Sequence, residues 1–247
     1  MSLLESVAAA PIGVFAYVRR DGTPNAVPVT PFVVDGRIVV TSTLAYVAKA
    51  AAVRRDSRVA LLAGGVHVSS TATVLVDQTP SWFNAHIRED EIRKFPPTKT
   101  FLDIPFNQCL FGWYSGRVII EFDPAPLDPV TGDDRVSVTT VDASGGLRIT
   151  PVPADIDLDS PDIPLDGPPE GPAVVLVHDE SDDMRDLRQL ALVGTIRNGR
   201  LAVSSRRGSL TPSPTTARAQ LATVRSMARL ARGHRSLIAD WPHPRAS

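Results

Sequence analysis

Two Asp-Gly pairs near the N-terminus constrain the fold more than any other feature of the sequence. They stand at Asp21-Gly22 and Asp35-Gly36, between runs that are rich in β-branched residues. Asp-Gly is favoured in two-residue hairpin turns because those turns need positive φ angles. The pattern predicts an antiparallel meander and excludes the regular strand-helix alternation of a doubly wound sheet. The three strands are expected at 12–20, 25–34 and 37–43.

Two prolines, Pro28 and Pro31, interrupt the second of these runs. Proline cannot donate a ladder hydrogen bond, so such a strand lies at a sheet edge or forms a bulge. Alternatively, the strand lies beside a ligand whose approach replaces the missing ladder bonds. The sequence leaves both interpretations open.

The rest of the first half also reads as α+β and mainly β. Periodicity predicts two helices, and β-branched runs predict three further strands, the last one ending at Asp123. The order is compatible with a small, closed or partly closed antiparallel barrel with Greek-key-like connections. The helices are expected at 44–55 and 80–94, and the strands at 58–63, 66–76 and 112–123.

Charge and proline divide the chain beyond this point. The 247 residues carry a formal net charge of only −1, but 123–172 is strongly acidic and holds ten of the 22 prolines, whereas 185–245 is strongly basic. Proline at this density excludes long helices and central strands. We therefore expect a barrel domain at 1–125, a Pro/Asp-rich connecting segment at 126–172 and an α+β extension at 173–247. The extension ends in a basic amphipathic helix from about Thr215 to Arg232.

Most catalytic and targeting signatures are absent from the sequence. It has no Gly-rich phosphate loop, no G-x-S-x-G and no H-E-x-x-H, and its five histidines are scattered, so no metal site is expected. The single cysteine, Cys109, excludes an intramolecular disulfide. No apolar run suits a membrane span or a signal peptide. The expected location is therefore the cytoplasm.

The segment 41–61 carries the candidate chemistry. Hydroxyls at Thr41, Ser42 and Thr43 end a strand where a helix is expected to start, and Lys49 follows on that helix. Free amides, hydroxyls and a mobile ammonium suit a phosphate monoester. The alternative is that a hydroxyl only caps the helix and Lys49 is solvated. Arg54, in the last helical turn, could equally complement the helix dipole.

The ordered series of elements resembles the flavin-binding split β-barrel family related to pyridoxamine 5′-phosphate oxidase. The resemblance covers roughly 5–125 and departs from the family pattern at Ala51, Ala52 and Ser57. It is carried by NAVPVTPFVVDG, RIVVTST, the helix ending in RRDSRVAL, then HVSSTATVLVD at 67–77 and GRVIIEFDP at 116–124.

The resemblance implies a homodimer of split barrels with FMN, or the deazaflavin coenzyme F-420, in clefts at the dimer interface. It implies that the strand-end hydroxyls and Lys49 hold the phosphate, with Arg54 as a further cofactor-binding candidate. The second strand would line the ring. Two aromatic residues are candidates for the substrate side. The ring-lining residues would be Pro28, Val29 and Thr30, and the substrate-side residues Trp82 and Trp113.

The predicted function is therefore a flavin- or deazaflavin-dependent oxidoreductase acting on a small organic substrate. One alternative is a non-catalytic carrier or sensor that binds a flavin or, less favoured, haem. A second alternative is that the basic C-terminal extension binds an anionic partner, although its lack of interleaved aromatic residues disfavours nucleic acid. Pairing of the basic extension with the acidic segment of the same chain or of its dimer mate is favoured over a different partner.

Overall fold

The computed structural model describes residues 1–103, 112–165, 167–181, 186–212 and 217–244, with no side-chain description for 100–101 and 217–221. The predicted start of the C-terminal helix at Thr215 lies outside these ranges. The helices are α1 (Leu3–Ala9), α2 (Ala48–Arg55), α3 (Ser81–His86), α4 (Arg88–Lys94), α5 (Thr98–Leu102), α6 (Gly112–Ser115) and α7 (Ala217–Ile238).

The strands form two antiparallel sheets. Those of the first are β1 (Gly13–Val18), β2 (Pro24–Val29), β3 (Pro31–Val34), β4 (Arg37–Thr43), β5 (Arg58–Ala63), β6 (Val66–Asp77), β7 (Arg117–Phe122) and β8 (Asp128–Pro129). Those of the second are β9 (Val136–Val141), β10 (Leu147–Pro151), β11 (Asp162–Pro164), β12 (Gly171–Glu180), β13 (Leu187–Arg197) and β14 (Arg200–Ser209).

The first sheet curls into a split barrel. Its strands follow the order β2-β1-β5-β6-β7-β4-β3, and β8 pairs with β6. The outermost strands β2 and β3 are consecutive in the chain and are separated only by Thr30. The chain itself therefore joins the two ends of the sheet around an apolar interior. The predicted α+β, mainly β split barrel is confirmed.

The strand expected at 25–34 is divided into β2 and β3, each at an edge of the sheet, so the expected three-strand meander is instead two hairpins. An edge position is one of the interpretations that the two prolines left open. Pro28 pairs with Val14 of β1, and Pro31 pairs with Val40 of β4. Within the first sheet, each half-strand has a neighbour on one side only. The missing proline amides therefore cost no ladder hydrogen bond.

The helix expected at 44–55 begins four residues late, so the alternative in which Ser42 or Thr43 caps the helix is wrong. Val47 precedes α2, and no side chain caps the helix. The reason is that β4 continues through Thr43 in its pairing with β7. Leu44 then donates its amide to the carbonyl of Trp113, 3.1 Å away, which leaves a turn before α2.

Two other predicted elements differ in detail. The helix expected at 80–94 divides at Ile87, whose side chain is buried in a small core between the helices and the barrel. The strand expected from Gly112 starts only at Arg117, because 112–115 forms one helical turn. The carboxylate of Asp77 accepts hydrogen bonds from the backbone amides of Trp82 and Phe83, which lie in the first turn of α3.

The second sheet has the order β10-β9-β12-β13-β14-β11 and includes strands from the acidic segment. β9 and β10 form a hairpin, and β9 also pairs with β12 on its other side, so the expectation that 123–172 holds no central strand is wrong. The reason is that the six residues of β9, VSVTTV, include no proline. Asn198-Gly199, a pair that is typical of hairpin turns, joins β13 to β14 with positive φ at both residues. Ile163 and Leu165 cover the far face of this sheet in a separate apolar core.

A layer of ten buried apolar residues joins the second sheet to the outer face of the barrel, and each is at most 2% exposed. The side chains are small enough for the sheets to approach closely, as in a β-sandwich. The barrel supplies Val14, Ala16, Val18, Ala26, Ala60 and Leu62, and the second sheet supplies Leu147, Ile149, Val174 and Leu176.

The C-terminal helix ends beyond its predicted boundary at Arg232, because its last turn enters the barrel core. Ile238 is 1% exposed, and Trp241, just beyond the helix, is 6% exposed. The amide of Val76 donates to the carbonyl of Pro242 at 2.8 Å, which fixes the tail on β6. None of the described helices is both long and apolar enough to cross a membrane.

The favoured pairing of basic and acidic segments is present for the strands, and it is absent for the C-terminal helix among the side chains that the structure describes. Arg200 forms an ion pair with Asp162, and Arg206 donates to the carbonyls of Asp159 and Ser160. Among the residues that the structure describes, the helix arginines have no carboxylate partner. These arginines are Arg225, Arg229, Arg232 and Arg235.

The contact between barrel and second sheet predicts a pH-dependent stability. His67 accepts the amide of Ile149 at 3.2 Å, which requires an unprotonated Nε2. Burial, with a smaller contribution from Arg148, lowers the pKa of His67, while Asp128 opposes the shift. The folded state thus binds this proton less readily than the unfolded state. The stabilisation is present above the ordinary pKa of about 6.5 and is lost as the pH falls below it.

We expect the free energy of unfolding to fall between pH 7.5 and pH 5.5, as measured by urea denaturation at each pH. His67→Gln keeps a possible hydrogen-bond acceptor but cannot be protonated in this pH range. The decrease in its free energy of unfolding should therefore be smaller than that of the wild type. His86→Gln is the control, because His86 stacks on Trp82 away from this contact. An equal loss in His67→Gln and in the wild type would contradict the assignment.

Candidate functional site

A cavity of about 320 Å³ lies where the chain leaves β2 for β3. Its volume is within the range of ligand pockets, and it brings together seven of the eight predicted cofactor-binding residues. These are Pro28, Val29, Thr30, Thr41, Ser42, Thr43 and Lys49. The sequence prediction did not include the other lining residues, which are Ile12, Phe32, Tyr46, Glu91, Phe95, Thr98, Tyr114, Arg117 and Leu187.

One part of the cavity wall carries unsatisfied polar groups. The hydroxyl oxygens of Ser42 and Thr43 are buried and have no hydrogen-bond partner in the described structure. Lys49 is half-buried, and no described residue accepts a hydrogen bond from it or forms an ion pair with it. Burial lowers the pKa of Lys49 to about 8. Buried polar groups normally have partners, so this cluster is suited to an external anion.

Another part of the wall is apolar. Ile12 and Phe32 are buried, and Pro28 and Val29 end β2 beside them. This wall can contact the face of a flat ring, and Pro28 has no backbone amide that such a contact could leave unpaired. The ring-lining role predicted for Pro28, Val29 and Thr30 is compatible with this placement.

A buried ion pair forms a third part of the wall. Arg117 Nη2 donates to Glu91 Oε1 at 2.8 Å, and the two side chains are 2% and 13% exposed. The Arg117 guanidinium lies 4.0 Å from the ring centre of Phe83 and 5.3 Å from that of Tyr114. The Tyr114 hydroxyl is 3.0 Å from Thr98 Oγ1. Here, in contrast to Lys49, the charge is compensated.

The sequence prediction missed this pair because its members are 26 residues apart. In the sequence, Glu91 is one of several charged residues in the helical segment REDEIRK, and nothing distinguishes it from the others. Arg117 is a cation at the start of an apolar strand, GRVIIEFD, and this is the one local signal that could have identified it. Charged side chains are rarely fully buried without a partner, so a cation beside such a strand indicates a carboxylate elsewhere.

Lys94 holds the break between β2 and β3 in place. Its ammonium donates to the carbonyl of Pro31 and lies 5.2 Å from the ring centre of Phe32. Burial lowers the pKa of Lys94 to about 8. The lysine thereby fastens α4 to the backbone at the cavity.

Three sequence candidates lie outside the cavity lining. The Arg54 guanidinium lies over the ring of Trp241, 5.1 Å from its centre. Trp82 stacks on His86 at 4.9 Å. Trp113 lies edge-on to Tyr114 at 5.7 Å. A cofactor or substrate role for these three residues remains a prediction.

A larger and more open depression of about 430 Å³ is also basic. Two of its arginines have partners, however, since Arg19 pairs with Asp21 at 3.8 Å and Arg55 donates to the carbonyl of Val18 at 3.1 Å. Lys49 has no such partner among the described residues, which favours the smaller cavity as the functional site.

Comparison with known proteins supports the relationship seen in the sequence. A family model described as pyridoxamine 5′-phosphate oxidase matches residues 2–103. The N-terminal half of the chain is pyridoxamine 5′-phosphate oxidase-like. This oxidase-like half contains most of the cavity lining, from Ile12 to Thr98. No curated protein matches the chain significantly.

Several solved structures are similar to about half of the chain. A conserved hypothetical protein of Mycobacterium tuberculosis is 20% identical, with a TM-score of 0.37, and the match covers 51% of this chain and 82% of that one. An F-420 reductase is also 20% identical, with a TM-score of 0.37, over 50% of this chain and 94% of the other. General stress protein 26 of Bacillus anthracis is 16% identical, with a TM-score of 0.35, over 53% and 100%.

Loss of the Glu91 carboxylate should destabilise the protein. Glu91→Gln leaves the buried Arg117 guanidinium without its counter-charge, and breaking a buried pair from one side costs about 3–5 kcal/mol. Equilibrium denaturation should show this loss. Glu89→Gln, on the exposed side of the same helix, should change stability by less than about 0.5 kcal/mol. Equal stability of the two variants would contradict the importance of the pair.

Proposed function

We propose that the cavity binds FMN or a deazaflavin of the F-420 type, and that the protein transfers hydride or electrons between this cofactor and a small organic substrate. The observation that carries the proposal is that the Lys49 ammonium and the hydroxyls of Ser42 and Thr43, none of which has a partner among the described residues, line the same cavity. A phosphate would supply acceptors for all three groups at once.

The ammonium and hydroxyl donors are of the kind that binds a phosphate, and they line the same cavity as apolar residues that could contact a flavin ring. A phosphate bound beside Lys49 would restore the favourable environment that burial removes from the ammonium. The apolar surface of Pro28, Val29 and Ile12 would lie along the ring, and Thr30 would offer a hydroxyl at its edge. The oxidase-like character of residues 2–103 supports the same class of ligand.

The protein side chains would bind, orient and exclude water, while the bound flavin would supply the redox chemistry. Lys49 would neutralise the phosphate. The apolar wall would keep water from the reacting face. Glu91, Thr98 and Tyr114 offer polar atoms in the same cavity for a substrate, and Arg117 keeps the Glu91 carboxylate in place. No general acid or base is required in this proposal.

The non-catalytic alternative uses the same cavity, with a flavin or haem held as a carried or sensed ligand. The absorption spectrum of the purified protein and titration with FMN, the deazaflavin and haem identify the ligand. Turnover of the bound cofactor with candidate reductants and acceptors then separates an enzyme from a carrier. The homodimer implied by the resemblance remains a prediction, and so does the cytoplasmic location expected from the absence of a membrane-span or signal-peptide pattern in the sequence.

Removal of the Lys49 charge should weaken cofactor binding. We expect Lys49→Met to lose about 1.5–3 kcal/mol of binding free energy, since it removes a charge-assisted phosphate contact. Flavin fluorescence titration measures the change. Lys99→Met, on the exposed surface of α5, is the matched control and should bind like the wild type. Unchanged affinity in Lys49→Met would show that this lysine does not contact the ligand.

Cofactor affinity should also depend on pH. The pKa of Lys49 without ligand is about 8, and a bound phosphate raises it, so the ligand binds together with a proton above that pH. We expect constant affinity from pH 7 to about 8 and then a decline of up to tenfold per pH unit. Titrations between pH 7 and pH 9 test this, and Lys49→Met should abolish the decline. A decline of equal slope in the variant would assign the effect to another group.

A further inference from the structure

The C-terminal helix α7 is buried only towards its end. Among its described side chains, Ala231 is 5% exposed and Ile238 is 1% exposed, whereas none from 222 to 230 is buried. His234 Nδ1 lies 3.3 Å from the carbonyl oxygen of Leu44, which is a further contact of the last turns. The earlier turns of the helix therefore lie at the surface of the molecule, and their apolar side is incompletely covered.

Three exposed arginines form a row along one side of this helix. Arg225, Arg229 and Arg232 are separated by four and then three residues, and this spacing places side chains on the same side of a helix. None of the three forms an ion pair with a described carboxylate. Arg232 Nε donates to the carbonyl of Ala228 in the same helix at 3.3 Å, which leaves its charge uncompensated. The row is therefore a strip of positive charge that faces solvent.

A second row, on the adjoining side of the helix, is apolar. Leu230 is 45% exposed and Leu237 is 49% exposed, and their separation of seven residues aligns them along the helix. Met227 lies one turn before Leu230 and is only partly buried. Exposed large apolar side chains are few in the described structure, so two leucines in line beside three arginines indicate an interaction surface.

We infer that α7 attaches the protein reversibly to the surface of an anionic phospholipid bilayer. The arginine row contacts the anionic headgroups, which attract basic side chains close to the membrane surface. The leucine row enters the boundary between headgroups and acyl chains, where it leaves water. The helix lies on the membrane in this inference and does not cross it. Attachment by α7 is independent of the cofactor proposed for the cavity.

Other anionic partners match the arginines but not the leucines. Single-stranded nucleic acid is bound by aromatic side chains that stack on bases, and α7 contains no Phe, Tyr or Trp. The acidic segment of a second copy of the chain offers carboxylates, but its apolar residues Ile156 and Leu158 pack against the core of their own sheet. An anionic bilayer supplies negative charge and an apolar phase together, so it accounts for both rows.

Sedimentation with lipid vesicles tests the attachment. We expect the full-length protein to sediment with vesicles of equal parts phosphatidylglycerol and phosphatidylcholine, and far less with phosphatidylcholine alone. Raising NaCl from about 0.1 M to about 1 M shortens the Debye length from about 10 Å to about 3 Å and should weaken the binding. Equal sedimentation with both kinds of vesicle, or sedimentation with neither, would overturn the inference.

Charge-removing variants test the arginine row. The triple variant Arg225→Gln, Arg229→Gln and Arg232→Gln should bind phosphatidylglycerol vesicles about a hundredfold more weakly, since each basic residue near the surface contributes about fivefold. The control makes the same change of net charge at three exposed arginines outside α7, which are Arg148, Arg197 and Arg207. It should bind like the wild type. Equal weakening in the two triple variants would assign binding to the total charge of the protein and not to α7.

The leucine row has its own test. The double variant Leu230→Ser and Leu237→Ser should bind the same vesicles at least tenfold more weakly, because two apolar side chains no longer leave water. Leu187→Ser, at a leucine that is 43% exposed outside α7, is the matched control and should bind like the wild type. Unchanged affinity in the double variant would contradict insertion of the leucines.

Measurements without lipid separate the remaining explanations. Circular dichroism checks that each variant folds, and if one does not, the lipid and salt dependence of the wild type still decides the question. Static light scattering gives the mass of the wild type and of the arginine variant in solution. We expect equal masses. A smaller mass for the arginine variant would make α7 an interface between copies of the chain and would overturn the lipid assignment.

Discussion

The break at Thr30 is the constraint on which the rest of the structure depends. Pro28 and Pro31 lack amide donors, so the strand on either side of the break can end a sheet without wasting hydrogen bonds. Because the two half-strands pair with opposite ends of one sheet, the chain closes that sheet on itself. The same break lies at the cavity, which Pro28, Val29 and Thr30 line. Lys94 on α4 donates a hydrogen bond to the backbone carbonyl of Pro31, just after the break.

The electrostatics of the cavity divide into a compensated and an uncompensated part. Arg117 and Glu91 neutralise each other, and aromatic rings cover the guanidinium, so this pair serves structure. Lys49 is partly desolvated with no counter-charge among the described residues, and its pKa falls to about 8. A partly desolvated ammonium gains more free energy from a bound anion than a fully solvated ammonium does, because the protein has already displaced part of its water. This difference makes Lys49 the centre of the proposed site.

The C-terminal half relates to the barrel in two ways. Its second sheet covers one outer face, and the end of its long helix places Ile238 and Trp241 in the barrel core. Its arginines divide correspondingly. Arg200 and Arg206 bind the acidic segment, while those exposed on the helix have no carboxylate partner in the described ranges. The near-zero net charge of the whole chain is thus the sum of two different features. Strand arginines are neutralised by the acidic segment, and the exposed arginines of the helix form a basic surface.

The sequence by itself predicted the two Asp-Gly turns and the segment of Thr41 to Lys49, because turn chemistry and strand or helix periodicity act between near neighbours. It left the edge position of the proline strand as one of two interpretations, and the expected three-strand meander is instead two hairpins at opposite ends of the sheet. It also indicated the family relationship of the first half. Only the tertiary structure placed Arg117 against Glu91 and brought Leu187 to the end of β2. Such contacts join residues far apart in the chain, and they depend on how whole sheets and helices pack, which no local pattern records. For the same reason local capping rules misplaced the start of α2, since pairing with β7 extended β4 through Thr43.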